Sequence, residues 1–299
     1  MQTFYSHGKL LLSAEYAVLD GALALALPTK FGQSLTVEPT LENYDHTVHW
    51  KSISNEGVVW FEAEFTIDTN LKISATNTSE IAVRLVQVLE ALQQLNPTLF
   101  EAQKGYIITS TLEFPENWGL GSSSTLINNL AQWAQVDAFK LLELTFGGSG
   151  FDIACAQQDS GILYQLNDGK PSIKPVDFSP PFIDALFFVH RNQKQNSRDG
   201  ITSYKRHTKN QTLDFSELNR LTLDLLNSST LETFESLIEQ HEHYVSKLIQ
   251  HPPLKEELFS DYEGAIKSLG AWGGDFFLAT GNTDSMDYFK SKGYTTIVP

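Results

Sequence analysis

The chain is 299 residues long, 41% apolar and 19% charged, with 21 Lys plus Arg against 36 Asp plus Glu for a formal net charge of −15. That length suits one large domain or two moderate ones with a sizeable core, and the composition excludes wholesale disorder. A field this negative repels a nucleic-acid backbone, and the single cysteine, Cys155, rules out an intramolecular disulfide or a cysteine cluster for zinc or iron–sulfur.

The first residues, MQTFYSHGKLLLSAE, lack a basic region followed by a long apolar core, and no apolar run reaches about 18 residues. The expectation is a cytoplasmic protein without signal peptide or membrane span, a monomer or a homodimer, acting on a small molecule. Residues 3–8 read as a strand, followed by more strand, a loop around 15–21 and a second element closed by Pro28. FGQSLTVEPT (31–40) and HTVHWKSI (46–53) read as strands joined by a turn, and VVWFEAEFTI (58–67) as another. Residues 79–96 carry Ile81, Leu85, Val88, Leu89 and Leu92 at helical spacing, and Asn96-Pro97 ends that helix. A strand over 106–114, a loop over 115–121, a helix from Ser122 and a short helix over 137–146 follow.

After a second glycine-rich turn, 151–166 ends as a strand. The proline-rich stretch 173–182 marks a boundary, which divides the chain into domains 1–180 and 181–299. Beyond it come a buried strand (185–190), a polar loop (191–200), helices over 215–226, 231–248 and 254–268, a turn feeding a strand at GAWGGDFFLAT, and a last helix and edge strand. Strands interleaved with a cluster of helices imply α+β packing.

Three stretches share one design: GLGSSS (119–124), GGSG (147–150) and GAWGG (270–274). Glycine lets backbone N–H groups converge on one concavity. A helix begins directly after the first stretch, and its first four N–H groups lack internal partners and carry partial positive charge. The loop reads either as a serine cap after a glycine turn or as a cradle for nucleotide phosphate. Neither GxxxxGK[ST] nor a GxGxxG after a suitable strand is present, which argues against P-loop and Rossmann folds. Lys9 after Gly8 and Asp152 within the apolar run FDIACA supply the cation and carboxylate that phosphoryl transfer needs. Arg191, Lys194 and Arg198 suit a substrate carboxylate or phosphate, or an ordinary solvated loop. His241 and His243, two apart on a helix, face different ways and are not read as a metal pair.

With these residues in view, the sequence resembles the GHMP kinases, in the branch of mevalonate kinase and phosphomevalonate kinase. GKLLLSAEYAVLDGALALALP is similar to the family's first motif, PENWGLGSSST (115–125) to its second, PxxxGLGSSAA, and GAWGGDFFLAT to its third. The three fall in the family's order and span nearly the whole chain. The resemblance implies a two-domain α+β fold: an N-terminal ATP-binding domain like domain two of ribosomal protein S5, a ferredoxin-like C-terminal domain on the substrate side, and ATP between them. It places phosphate at Gly119, Leu120, Gly121, Ser122, Ser123 and Ser124, makes Asp152 the catalytic aspartate and pairs Lys9 with it. It implies Mg²⁺ on Ser123, with Glu143 the nearest upstream glutamate to join it. Glu15 matches the acid of the first motif, where it orients substrate or backbone, and Gly273 and Gly274 close over the substrate.

The chain departs from the pattern at Ala14, where glycine is usual, at Ser124-Thr125 in place of Ala-Ala, and at the thinned third motif with Trp272 inserted and Asp275 beside it. The expected activity is ATP-dependent phosphorylation of a small acidic metabolite, mevalonate first. Phosphomevalonate, homoserine or a sugar, or a nucleotide-binding pseudokinase, stand as alternatives.

Overall fold

The computed structural model describes residues 1–40, 46–100, 105–193, 197–272 and 274–298, with the side chains of 197–199 outside the description. The chain opens with β1 (Gln2–Leu11), a single 3₁₀ turn at Ala17–Asp20, β2 (Ala24–Pro39), β3 (Thr47–Ile53), β4 (Val59–Ile67) and β5 (Ile73–Ala75). Next come α1 (Glu80–Leu95), β6 (Tyr106–Leu112), α2 (Ser122–Ala134), α3 (Ala138–Thr145) and α4 (Phe151–Ala156). The hairpin of β7 (Ile162–Asn167) and β8 (Lys170–Pro175) leads to β9 (Leu186–His190), α5 (Ser197–Thr208), α6 (Ser216–Asn227) and α7 (Leu231–Ile249). The chain finishes with α8 (Leu254–Leu258), β10 (Ile266–Ser268), β11 (Phe276–Thr280), α9 (Met286–Ser291) and β12 (Ile297–Val298). The fold is α+β, with one large mixed sheet and a separate four-stranded antiparallel sheet. No described helix is long and apolar enough to cross a membrane.

Two compact units divide the chain. The first comprises Met1–Lys9, Pro28–Glu116 and Leu120–Asp159; the second comprises Leu10–Leu27, Asn117–Gly119 and Ser160–Pro299. In the first unit the strand order is β5-β4-β3-β6-β2. Period-two patterning explains β4, which turns Phe61, Ala63, Phe65 and Ile67 inward and leaves Glu62, Glu64 and Thr66 exposed. Helix α1 starts where Ser79 Oγ accepts from Ala82 N at 3.2 Å, and it buries Leu85, Val88, Leu89 and Leu92 along one stripe. These residues pack with Trp50 and with Ile127 and Leu130 of α2 in one core. Each such side chain removed from water contributes about 1.5–3 kcal/mol.

In the second unit, Ala24–Ala26 of β2 pair with β7, and β7 turns into β8 through Asp168-Gly169, both at positive φ (50° and 75°). An Asp-Gly pair of this kind makes the primed turn that matches strand twist. The small sheet runs β10-β11-β9-β12, and its core gathers Phe259, Phe277 and Phe289.

The structure differs from the sequence expectations in four places. Strands 31–40 and 46–53 are not neighbours: β6 lies between them, antiparallel to β2 and parallel to β3. Pro28 does not end an element. It sits inside β2 between the stretch paired with β7 (24–26) and the stretch paired with β6 (33–39), where neither of those ladders claims its missing N–H. The polar loop expected over 191–200 becomes helix from Ser197, because Gly200 packs so closely on Tyr16 that a Cβ there would overlap the Tyr16 hydroxyl. The helix expected over 254–268 stops at Leu258, and Ile266–Ser268 instead pair with β11.

Candidate functional site

The first unit brings three of the expected features together. Helix α2 begins after Gly121, which adopts φ 89° and offers no side-chain cap. The first backbone bond of the turn is Thr125 N to Gly121 O at 3.0 Å, so the amides of Ser122, Ser123 and Ser124 precede the helix's own hydrogen-bond ladder. Ser123 is exposed; Ser122 and Ser124 are half-buried. Leu120 is buried, and its carbonyl accepts from Lys9 N at 2.9 Å, which ties the glycine loop to β1.

Lys9 then runs past Gly121: a Cβ on Gly121 would sit 3.3 Å from Lys9 Cγ and Cε. Its Nζ reaches Asp152 Oδ1 at 3.5 Å and lies 5.7 Å from the Phe151 ring centroid. Asp152 stands in the first turn of α4, entered through Gly150 at φ 84°. The pair is partly exposed, 16% for Lys9 and 24% for Asp152, so solvent reaches it. Cys155, one turn on, is buried, and burial followed by the nearby Asp152 pushes its thiol above the usual range, so it stays protonated packing.

The departure at Ser124-Thr125 has a local cause. Thr125 is buried, and its hydroxyl meets Gln33 Oε1 at 2.5 Å, Ser122 O at 3.0 Å and Gly121 O at 3.2 Å. It braces the inner side of the helix start. Glu143 is exposed on α3. Among the described residues no three His, Cys, Asp or Glu side chains cluster as a metal site. The exposed Ser123 hydroxyl and the Asp152 carboxylate are hard oxygen donors, which fits an Mg²⁺ held chiefly by substrate phosphates and water with one or two protein ligands.

The remaining expected residues fall in the second unit. Arg191 lines a cavity of about 380 Å³ with Tyr16, Gln193, Ser203, His251 and Trp272. With its amide oxygen turned toward Arg191, Gln193 Oε1 accepts from Arg191 Nη2 at 2.8 Å. The inserted Trp272 is 7% exposed, left-handed at φ 57°, and donates through Nε1 to Pro252 O at 3.1 Å, so it anchors the third glycine turn. Gly274 is buried, whereas Gly273 and Lys194 lie outside the described residues, as does the side chain of Arg198. Asp275 packs on Gly119 so tightly that any Cβ at 119 would overlap its carboxylate.

Glu15 does not line that cavity. It is wholly buried, ion-paired with the equally buried Lys267, which also reaches Glu242 Oε1 at 3.1 Å and the Ser268 carbonyl at 2.7 Å. Glu242 Oε2 accepts from Ser268 Oγ at 2.8 Å, and His241 Nε2 accepts from Ala14 N at 3.0 Å. One cation between two buried carboxylates cannot balance both. Burial raises Glu15 to about 7, Lys267 acts in the opposite direction, and the Glu242 charge adds to the rise. Burial pulls Lys267 down, and the two glutamates more than offset it. Burial and then Lys267 hold His241 well below its ordinary value, which leaves it neutral. Lys267, Glu242 and His241 went unassigned in the sequence. The signal was there: a lysine inside the apolar run AIKSL, and a His-Glu pair on the apolar stripe of α7.

Ala14 and Tyr16 flank Glu15 with φ of 63° and 59°, both left-handed and both non-glycine. Each costs about 1–2 kcal/mol of local strain. This accounts for the glycine usual at the Ala14 position.

No family model matches the chain, and no curated protein matches its sequence. Solved structures do. A Lin0012 protein from Listeria innocua aligns with a TM-score of 0.73 at 16% identity, over 99% of this chain and 96% of that one. Phosphomevalonate kinase of Streptococcus pneumoniae, in complex with phosphomevalonate and AMPPNP, aligns at 0.70 and 16% identity over 100% and 99%. L. major mevalonate kinase, in complex with R-mevalonate, aligns at 0.67 and 16% over 100% and 94%. The chain therefore has the two-domain α+β fold of the GHMP small-molecule kinases. At this identity the likeness is one of fold.

Proposed function

We propose that the chain transfers the γ-phosphoryl group of ATP to a small acidic metabolite. One observation carries the reading: a single side chain, Lys9, lies against both the glycine entry to α2 and the carboxylate of Asp152. Phosphoryl transfer asks a protein for positioning and charge neutralisation more than for covalent chemistry. The amides of Ser122, Ser123 and Ser124 and the dipole of α2 favour an anion at the helix start. Lys9 offsets further negative charge and holds Asp152. Asp152 accepts the proton of an acceptor hydroxyl, or orients an acceptor that is already ionised. Ser123, with Glu143 as the second candidate, would ligate Mg²⁺, which when bound neutralises charge on the phosphate oxygens.

In the second unit, Arg191 is proposed to bind the acid group of a small ligand through its planar fork of donors. Gly274 of the third glycine turn is proposed to lie against that ligand. Mevalonate is the first choice of acceptor, supported by the resemblance of the first two motifs and by the fold shared with a mevalonate kinase. Phosphomevalonate is the second, supported by the same fold in a phosphomevalonate kinase.

The test is ATP consumption with Mg²⁺ across mevalonate, phosphomevalonate, homoserine and galactose. Turnover with one of the two mevalonate-series acids supports the reading and names the substrate. No turnover with any of the four, under conditions where the chain is folded, sinks it.

A further inference from the structure

The buried cluster around Lys267 is not part of the cavity lining, yet it is the most densely charged buried region described. Its members converge on one feature, the turn 14–17. That turn is bent by two left-handed non-glycine residues, Ala14 and Tyr16, and is closed by Ala17 N to Glu15 O at 2.6 Å and Val18 N to Ala14 O at 3.0 Å. Such a conformation persists only where its surroundings over-determine it. Glu15, the residue between the two strained ones, is held by Lys267, and the Ala14 amide is held by His241. Because His241 Nε2 accepts that amide, the ring carries its proton on Nδ1. Glu242 and the Ser268 carbonyl complete the seating of Lys267.

The far side of the turn is equally constrained. Tyr16 stacks on Tyr204 at 5.9 Å and 19°, its hydroxyl abuts Gly200, and Tyr204 donates to Asp20 Oδ2 at 2.6 Å. Tyr16 is the one residue of the turn that lines the cavity shared with Arg191.

We infer that Lys267, Glu242 and His241 are positioning residues. They clamp Glu15 and Ala14 so that the strained turn presents Tyr16 as a fixed wall of the Arg191 cavity, and thereby set affinity for the acid-bearing ligand rather than for nucleotide. The kinetic half of this inference rests on the kinase reading above; the structural half does not.

Two measurements on the full chain test it. The first is amide hydrogen exchange at Ala14, Ala17 and Val18, with Leu278 in β11 as the reporter of general opening in the same unit. His241→Leu removes the acceptor of the Ala14 amide, and His241→Gln places an amide oxygen near the same point. Exchange at 14–18 accelerates about tenfold or more in His241→Leu beyond any change at Leu278, and His241→Gln recovers most of the protection. Equal acceleration at Leu278 and at the turn, or none at the turn, overturns the clamp. If His241→Leu does not fold, Glu15→Gln and Lys267→Met carry the same comparison.

The second measurement is the split of Michaelis constants. His241→Leu raises KM for the acidic acceptor about fivefold or more and leaves KM for ATP within about twofold, and His241→Gln returns the acceptor value toward that of the unmodified chain. Equal rises in both constants overturn the assignment to the acceptor side. A wild-type chain that never consumes ATP refutes the kinase reading, and the exchange measurement still decides the clamp.

Discussion

Replacing Gly121 by alanine separates two consequences of one glycine. The residue sits at φ 89°, a region an L-residue enters at a cost of about 1–2 kcal/mol. Its new Cβ would also stand 3.3 Å from Lys9 Cγ and Cε, so the lysine stem must give by a few tenths of an ångström. A flexible stem yields cheaply, and the stability loss is therefore set by the backbone: about 1–2 kcal/mol, or about 2–4 °C in Tm per kcal/mol for a unit of this size. Under the proposed function the displacement of Lys9 carries the kinetic effect, because its Nζ is the group 3.5 Å from Asp152. Gly57 provides the control. It too is left-handed, at φ 76°, in the same unit, and a Cβ there meets nothing within 4 Å. Gly121→Ala and Gly57→Ala should thus lose similar stability by thermal unfolding, while only Gly121→Ala raises KM for ATP and lowers kcat, by about tenfold each. If steady-state kinetics of the two variants match, the glycine entry to α2 is a folding device alone and the phosphate-cradle argument fails.

Four further outcomes follow from the same geometry. Lys9→Met should cut kcat/KM about 10²-fold or more with little change in Tm, since a partly exposed ion pair stabilises by about 1 kcal/mol at most; a large Tm loss with unaltered turnover would reverse the assignment. Asp152→Asn should cost about 10²-fold in kcat with an alcohol acceptor such as mevalonate and less with an acceptor that is already ionised, and near-native turnover with mevalonate removes the general-base role. Glu15 binds its proton more tightly folded than unfolded, with its value raised from 4.5 to about 7, so its contribution to stability is fully present below about 4.5 and is lost as pH rises toward 7; denaturant titrations should show the stability of Glu15→Gln relative to wild type increasing across that window, and a flat difference would contradict the burial argument. Arg191→Glu should raise KM for the acidic substrate about tenfold or more, and an unchanged value discards Arg191 as its partner.

How far the molecule could be read from its sequence depended on the range of the forces involved. Elements fixed by local pattern were legible: α1 runs within one residue of the expected bounds at each end because its apolar spacing, its Ser79 cap and Asn96-Pro97 are all local signals. The features that turn on distant partners were not. Helix α5 contains a glycine and polar residues and reads as loop until Tyr16, nearly two hundred positions away, is packed against Gly200. Residues 254–268 alternate ambiguously, and only pairing with β11 makes Ile266–Ser268 a strand.

The candidate site divides along the same line. Glycines at 119 and 121 announce their backbone by type alone, and Lys9 and Asp152 stood out as charges in apolar or glycine-rich settings. Glu15 carried that same signal, yet a buried acid is defined by its partners. Those partners, Lys267 and Glu242, lie more than two hundred residues downstream, and although each is itself a charge in an apolar pattern, no local signal joins either to Glu15. A charge in an apolar run therefore reports that a partner exists without saying where. Whether the group faces ligand or protein is decided by burial: Asp152 keeps 24% of its side-chain surface open beside its lysine, whereas Glu15 keeps none. That contrast is why Asp152 is the carboxylate proposed for chemistry, and why Glu15 is the one proposed to hold the turn that carries Tyr16.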